Sequence, residues 1–105
     1  MRIVALLLAL VMTIATAPAL AQGPSPVAEG KKVYTNQGCY GCHTVDKSGT
    51  PIGPDLSLVG RKHSETWIAQ WLRDPASQKP TAHMPRLQLS EAEVKALTAY
   101  LSSLR

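Results

Sequence analysis

The sequence predicts an all-α protein with three or four helices, in which the first and last helices cross. Two observations lead to this prediction. The C-terminal stretch places apolar residues at steps of three and four, the spacing of one face of a helix. The stretches between the predicted helices are rich in glycine and proline, which interrupt regular structure. The only two cysteines lie in one short segment, and the rest of the chain is organised around that segment.

Residues 1–21 are typical of a secretory signal. Arg2 supplies a positive charge, residues 3–14 form an apolar run broken by one threonine, and the small residues that end at Ala21 offer a cleavage site. A membrane-spanning helix needs about 20 apolar residues, and this run is shorter. We therefore expect cleavage after Ala21 rather than a retained membrane anchor, and export from the cytoplasm.

The first helix of the mature chain is predicted over about 26–37. A proline in the first turn costs little because its missing N–H would have no partner there, and Gly38 is a typical residue at a helix end. Gly30 lies in the middle of the helix, where glycine is unfavourable. Such a glycine usually permits a close contact, so we predict that Leu97 and Tyr100 pack over Gly30.

The two cysteines, Cys39 and Cys42, are separated by two residues and followed directly by His43. This spacing is that of a c-type haem attachment site. The thiols lie about one helical turn apart and can reach two vinyl groups of one porphyrin, while His43 can bind its iron. The alternatives are a redox-active dithiol, which expects a βαβ pattern that is missing here, a structural disulfide, or a zinc site, which needs further ligands.

Cleavage would leave 84 of the 105 residues: a linker over 22–26 and one domain over 27–105. A domain this small has little core of its own, and the chain has no phenylalanine. We expect the haem to complete the core and the haem-free chain to be largely unfolded. Removal of Arg2 leaves 10 basic and 7 acidic residues, a weak excess that gives no indication of nucleic-acid binding.

A shorter helix is predicted over 64–73, with Ser64 as its N-cap and Pro75 preventing its extension. Its apolar residues follow at i, i+1, i+4 and i+5 and therefore share one face, which we expect to pack on the haem. The face consists of Trp67, Ile68, Trp71 and Leu72. An indole N–H on it is a candidate donor to a haem propionate, because a buried indole N–H generally has a partner.

Two loops, 44–63 and 75–89, are long for a small domain, and such loops are usually functional. Met84 is the only methionine that remains after cleavage. A lone methionine is ordinarily a core residue, but Met84 lies outside any apolar stripe, so we predict that it binds the iron. His83 and His63 are the other candidate ligands, although His63 is interpreted more simply as a solvent-facing residue.

The last helix has the clearest periodicity, and Ser90 with Glu93 forms a capping box at its start. Its apolar face is predicted to contain Val94, Leu97, Leu101 and Leu104, with Tyr100 beside it, and its polar face to contain Glu91, Lys95, Thr98 and Ser102.

These motifs resemble the small class I cytochromes c of the bacterial periplasm over nearly all of residues 26–105. The resemblance is carried by Cys39-Tyr40-Gly41-Cys42-His43, Gly53-Pro54-Asp55-Leu56, Val59-Gly60-Arg61, Trp67, Trp71-Leu72, Met84-Pro85 and Ala99-Tyr100-Leu101. It implies the cytochrome c fold, with the helices wrapped around one covalently bound haem c, and a location in the periplasm.

The resemblance also implies roles for individual residues. The carbonyl of Pro54 is expected to accept the second ring proton of His43, and Arg61 is expected to approach a propionate, unless it is simply a solvated cation. Trp67 is expected to contact the haem. The axial ligands of the iron would be His43 and Met84.

With both axial positions filled, no position is left for a small-molecule substrate. We therefore expect a monomeric one-electron carrier rather than an enzyme, with respiratory-chain or periplasmic redox proteins as partners. One alternative is a haem subunit of a larger respiratory or sulfur-oxidising enzyme. The Trp71–Pro75 run and Met84-Pro85 are similar to haem-bearing subunits of oxidases and nitric-oxide reductases, but their further domains are not seen here. The other alternative is a haem sensor or enzyme with a labile Met84, which would bind carbon monoxide.

Overall fold

The computed structural model describes residues 11–16 and 25–105. The predicted signal sequence, its cleavage site and most of the linker lie outside the described residues, apart from 11–16, which are exposed and have no regular secondary structure. In the two described ranges, no helix is both long and apolar enough to cross a membrane.

The described domain contains five α-helices, a 3₁₀ turn and a small antiparallel hairpin. The helices are α1 (Pro26–Asn36), α2 (Val59–Lys62), α3 (Glu65–Arg73), α4 (Pro75–Gln78) and α5 (Glu91–Ser102); the turn is Cys39–Gly41, and the strands are β1 (Thr44–Val45) and β2 (Ser48–Gly49). In the hairpin, Thr44 pairs with Gly49 and Val45 with Ser48. The three longer helices match those predicted. Helices α2 and α4 fall in segments predicted as loops, because four residues are too few to show a helical period.

Local signals set both ends of α1, and those predicted are the proline in the first turn and Gly38. The Ser25 hydroxyl accepts a hydrogen bond from the Ala28 N–H at 3.2 Å, and Pro26 occupies the first turn. At the other end Gly38 adopts a left-handed conformation with φ of 72°, which glycine accepts without strain. Gly38 thereby turns the chain from α1 directly into the segment with the two cysteines.

Helices α1 and α5 make the most extensive contact between elements, and Gly30 lies within it. A Cβ atom at Gly30 would overlap the Ala96 carbonyl oxygen and would lie 2.5 Å from the Tyr100 Cβ. The ring of Tyr100 also packs edge-on against Tyr34, with centroids 5.4 Å apart. The predicted contact between Gly30 and Tyr100 is present. Ala96, rather than Leu97, supplies the backbone atoms nearest to Gly30.

The capping box predicted for α5 is complete. The Glu93 N–H donates to the Ser90 hydroxyl at 3.1 Å, and the Ser90 N–H donates to the Glu93 carboxylate at 3.0 Å. One prediction for this helix is wrong. Thr98, predicted on the polar face, is buried, and its hydroxyl has no hydrogen-bond partner within the described residues. Helix α5 packs against both α1 and α3, so the buried part of its surface is wider than its apolar face alone indicates.

The capping box should make stability depend on pH. Hydrogen bonds from the Ser90 backbone, the Ser90 hydroxyl and Gln37 lower the pKa of Glu93 from its usual 4.5. A carboxylate with a lowered pKa stabilises the fold above pH 4.5, and this contribution disappears as the pH falls through the lowered value. We expect Glu93→Gln to be less stable than the parent at pH 7 and to approach it at pH 3, in thermal unfolding followed by circular dichroism. An equal difference at both pH values would contradict this.

The buried core is small and lies to one side of a cavity. It consists of Tyr34, Ile68, Leu72, Val94, Leu97, Tyr100 and Leu101. These residues come from α1, α3 and α5, which pack together, while the two long loops close the other side. A bidentate ion pair between Arg73 and Glu91, with N–O distances of 3.1 and 2.9 Å, joins the end of α3 to the start of α5 at the surface.

Candidate cofactor site

A cavity of about 500 Å³ with mostly apolar walls lies between α3, α5 and the two long loops. Its walls include seven residues that carry chemistry: Cys39, Cys42, His43, His63, Trp71, His83 and Met84. The apolar part comes largely from Tyr34, Leu56, Ile68, Leu72, Leu97 and Leu101. Pockets for small molecules and cofactors usually have volumes of about 300–1,000 Å³, so this cavity has room for a group of cofactor size.

The two cysteines lie at the edge of this cavity and are not joined in a disulfide. The 3₁₀ turn presents them, and the His43 N–H closes the turn by donating to the Cys39 carbonyl at 3.0 Å. Cys39 is half-buried and Cys42 is exposed. Burial raises the pKa of the Cys39 thiol, whereas a reactive dithiol needs a lowered thiol pKa. The environment therefore does not favour a redox-active dithiol.

His43 is oriented by the loop that follows the hairpin. Its Nδ1 lies 2.7 Å from the Pro54 carbonyl oxygen. A carbonyl can only accept a hydrogen bond, so Nδ1 carries a proton, and Nε2 is the ring nitrogen that could bind a metal. Gly53 lies against the ring: a Cβ atom there would be 2.8 Å from the His43 Cε1. The hydrogen bond expected between His43 and Pro54 is thus present in the structure.

Asp55 fixes the position of this loop. Its Oδ1 accepts hydrogen bonds from the hydroxyls of Thr44 and Ser57 at 2.9 and 2.8 Å, and the Ser57 hydroxyl accepts one from the Asp46 N–H. The bonds from Ser57 and then Thr44 lower the pKa of Asp55, so the carboxylate stays ionised at neutral pH. In the sequence, Asp55 is only one member of a motif. The sequence feature that could have indicated this role is a carboxylate, which accepts hydrogen bonds, directly after Pro54.

Met84 also lies in the wall of the cavity, where it is half-buried and packs against the core. The Trp71 indole N–H donates a hydrogen bond to its sulfur, with an N–S distance of 3.2 Å. The sequence suggests a haem propionate as the partner of an indole N–H on this face. In the structure, the Trp71 indole has a partner within the protein, in a loop 13 residues further along the chain.

Three aromatic side chains stack along the cavity. The His63 and Trp67 rings lie 3.6 Å apart at an angle of 11°, and the Trp67 and Trp71 rings lie 5.2 Å apart at 15°. The sequence favours a solvent-facing His63, but this residue is only partly exposed and lines the cavity. That interpretation is wrong because α3 brings Trp67 directly against the histidine that precedes it.

The structure brings together six of the seven site residues that the sequence predicts. Cys39, Cys42, His43, Pro54, Trp67 and Met84 all line the cavity. Arg61 does not. It lies on α2, is exposed and is not part of the cavity wall in the described structure. The neighbouring Lys62, together with Lys79, is in the wall instead. A propionate contact by Arg61 stays a prediction.

Comparison with known proteins identifies the family. The sequence model described as Cytochrome c matches residues 27–105, which is most of the chain. The protein belongs to the cytochrome c family. Its all-α architecture, with small additions of strand, is compatible with the cytochrome c fold.

Curated relatives of this cytochrome c are subunits of larger assemblies. Cytochrome c oxidase subunit 2 of Alkalihalophilus pseudofirmus is 34% identical over 86 residues, covering 73% of this chain and 25% of that protein. The same subunit from Bacillus sp. strain PS3 is 34% identical, covering 76% and 27%. A nitric oxide reductase subunit from Stutzerimonas stutzeri is 28% identical, covering 71% and 56%. The chain thus spans about a quarter of the length of the two oxidase subunits.

Membership of the family implies covalently bound haem c, and the residues present fit that group. The cavity wall supplies two unbonded thiols, an imidazole held through its Nδ1 and a thioether, set in apolar surroundings. The hydroxyl of Tyr34 is buried at the wall without a partner in the described part of the chain, and burial raises its pKa to about 12. Bound haem would supply a redox-active iron for electron transfer.

Proposed function

We propose that this cytochrome c is a periplasmic one-electron carrier with a single haem attached through Cys39 and Cys42, and with His43 and Met84 as axial ligands. It would carry electrons between respiratory-chain or periplasmic redox proteins without catalysing a reaction of its own. The observation that supports this most strongly is that His43, oriented by Pro54, and a thioether line one apolar cavity beside two free thiols.

The protein's part in this function is to hold the ligands in place before and after electron transfer. Pro54 keeps the proton of His43 on Nδ1, so Nε2 stays available to the metal. Met84 is half-buried in the same wall. Ligands held in this way need to move little when the charge of the centre changes, which suits rapid transfer. Two axial protein ligands also leave no site for a substrate.

The thioether edge is the proposed route for electrons. Cys42 is exposed, and Tyr40, between the two cysteines, is 52% exposed. This part of the chain is therefore accessible to another protein, whereas Leu97 and Leu101 of α5, which also line the cavity, are buried. Partner contacts at this edge would be brief, as is usual for redox encounters that bury little surface.

The second candidate function is that of a haem-bearing component of a larger respiratory or sulfur-oxidising complex. The relatives favour it, because they are named as oxidase and reductase subunits. Purification of the native protein distinguishes the two candidate functions: a carrier should elute alone, whereas a component of a complex should co-purify with stable partners.

His83 remains a further candidate ligand of the iron, since it too lines the cavity and adjoins Met84.

The test of the axial ligands is the absorption spectrum of the periplasmic protein, oxidised and reduced. We expect a low-spin c-type spectrum with a methionine-to-iron charge-transfer band, and Met84→Ala should abolish that band. His83→Ala is the matched control, because it removes the neighbouring candidate ligand and should leave the band in place. A high-spin wild-type spectrum, or ready binding of carbon monoxide by the reduced protein, would contradict the proposed ligation.

A further inference from the structure

We propose that Asp55 is a positioning residue for His43: hydrogen bonds to its carboxylate hold the Pro54 carbonyl against the ring and thereby lower the reduction potential of the centre. This inference rests on the proposed function, because it requires His43 to be an iron ligand. It does not depend on Met84.

The segment that carries His43 is fastened to the loop over 53–57 on both sides of the histidine. The Gly53 N–H donates to the carbonyl of Cys42, directly before His43. The Leu56 N–H donates to the carbonyl of Thr44, directly after it, at 2.8 Å. The orientation of the ring therefore depends on the position of this loop.

The side chain of Asp55 adds hydrogen bonds that all reach one oxygen. Its Oδ1 accepts from the Thr44 hydroxyl at 2.9 Å, from the Ser57 hydroxyl at 2.8 Å and from the Ser57 N–H at 3.4 Å. The Ser57 hydroxyl also accepts from the Asp46 N–H at 2.8 Å. These bonds from Ser57 and then Thr44 keep the pKa of Asp55 below its usual 3.8, and bonds to a charged acceptor are stronger than neutral ones. Asp55 thus connects the hairpin to the loop.

The carbonyl that faces His43 belongs to the peptide group between Pro54 and Asp55. This group is planar, so its orientation depends on the backbone of Asp55 as well as on that of Pro54. The proline ring fixes only φ of Pro54 and does not fix the rotation that turns the carbonyl. Asp55 restricts that rotation, because its side chain is bonded to Thr44 on one side and to Ser57, two residues further on, in an Asx turn.

The consequence for the iron follows from the basicity of the ring. A hydrogen bond donated by Nδ1 makes the imidazole a stronger donor to a metal. Stronger donation stabilises the oxidised iron more than the reduced iron, so the potential falls. The negative charge of Asp55, which lies in the cavity wall, acts in the same direction. An experiment therefore has to separate the hydrogen bonds from the charge.

The test compares Asp55→Asn with Asp55→Ala in the haem-loaded protein. Within the described residues, the hydrogen bonds to this side chain all reach Oδ1, so an amide oxygen can replace it, whereas alanine has no acceptor. In the reduced protein we expect the His43 Nδ1 proton to exchange with solvent about tenfold faster in Asp55→Ala than in the parent, as for the loss of about one hydrogen bond. Asp55→Asn should exchange at nearly the parental rate. The potential should rise in Asp55→Ala and rise less in Asp55→Asn.

Two further variants show whether the effect passes through hydrogen bonds. Thr44→Val removes one of them without a change of charge, and valine suits a strand position. It should raise both the exchange rate and the potential, and it should add little to Asp55→Ala. Asp46→Asn is the matched control, since it removes a carboxylate from the same hairpin but keeps the N–H that Ser57 accepts. It should leave the exchange rate unchanged.

Equal changes in Asp55→Asn and Asp55→Ala, or an unchanged potential in Thr44→Val, would overturn the proposal. If Asp55→Ala does not fold, Thr44→Val and Asp55→Asn decide by the same two measurements: the proposal requires a faster exchange in the first variant and a nearly parental rate in the second.

The outcomes also separate this inference from the proposed function. If His43→Ala retains the low-spin c-type spectrum, the proposed axial ligand is wrong and the role of Asp55 fails with it. If His43→Ala loses that spectrum but neither Asp55→Ala nor Thr44→Val changes exchange or potential, the ligand stands and only the role of Asp55 is overturned.

Discussion

Replacing both Cys39 and Cys42 with alanine should leave the chain largely unfolded. The core of the described domain has seven buried apolar residues, and five of them also border the cavity. An empty cavity costs about 24 cal/mol per Å³, so 500 Å³ left empty would cost on the order of 10 kcal/mol. That is comparable with the whole stability of a typical domain, about 5–15 kcal/mol.

The measurement is far-ultraviolet circular dichroism with thermal unfolding of the purified double variant. We expect low helicity and no cooperative transition. Tyr40→Ala is the control, because it alters the same exposed turn but keeps both thiols and His43. It should remain folded and haem-loaded. A cooperative melt of haem-free double variant would show that the protein part folds alone, contrary to this expectation.

Gly30→Ala should destabilise the protein by forcing α1 and α5 apart. The new Cβ would overlap the Ala96 carbonyl oxygen, and both atoms are fixed to the backbones of packed helices, so no side-chain rotation can relieve the clash. Alanine gains about 1 kcal/mol of helix propensity over glycine. Overpacking typically costs about 1–3 kcal/mol and sometimes more. With a backbone clash, the steric cost should exceed the propensity gain.

For a domain of this size, each kcal/mol corresponds to about 4–8 °C in the midpoint of thermal unfolding. We expect Gly30→Ala to lower the midpoint of the haem-loaded protein by on the order of 10 °C. Gly41→Ala is the matched control, since a Cβ there has no neighbour within 4 Å, and its midpoint should change little. Equal midpoints for the two variants would mean that α1 and α5 can separate at no cost.

Local sequence patterns are enough to predict much of this fold. The helix starts at Ser64 and Ser90 follow from side chains that cap N–H groups within the same turn. Gly38 and Pro75 mark helix ends for equally local reasons. The one-turn helices α2 and α4 are not predicted, because a four-residue segment has no measurable period.

By itself, the sequence determined where the longer helices begin and end, and which segment would carry a covalently attached cofactor. Those properties depend on residues within a few positions of one another. Only the tertiary structure decided which distant groups meet. The Trp71 N–H reaches Met84 rather than standing free, Thr98 is buried, and Arg61 lies outside the cavity. Each of these depends on how helices and loops pack against one another, and helical periodicity contains no information about that packing.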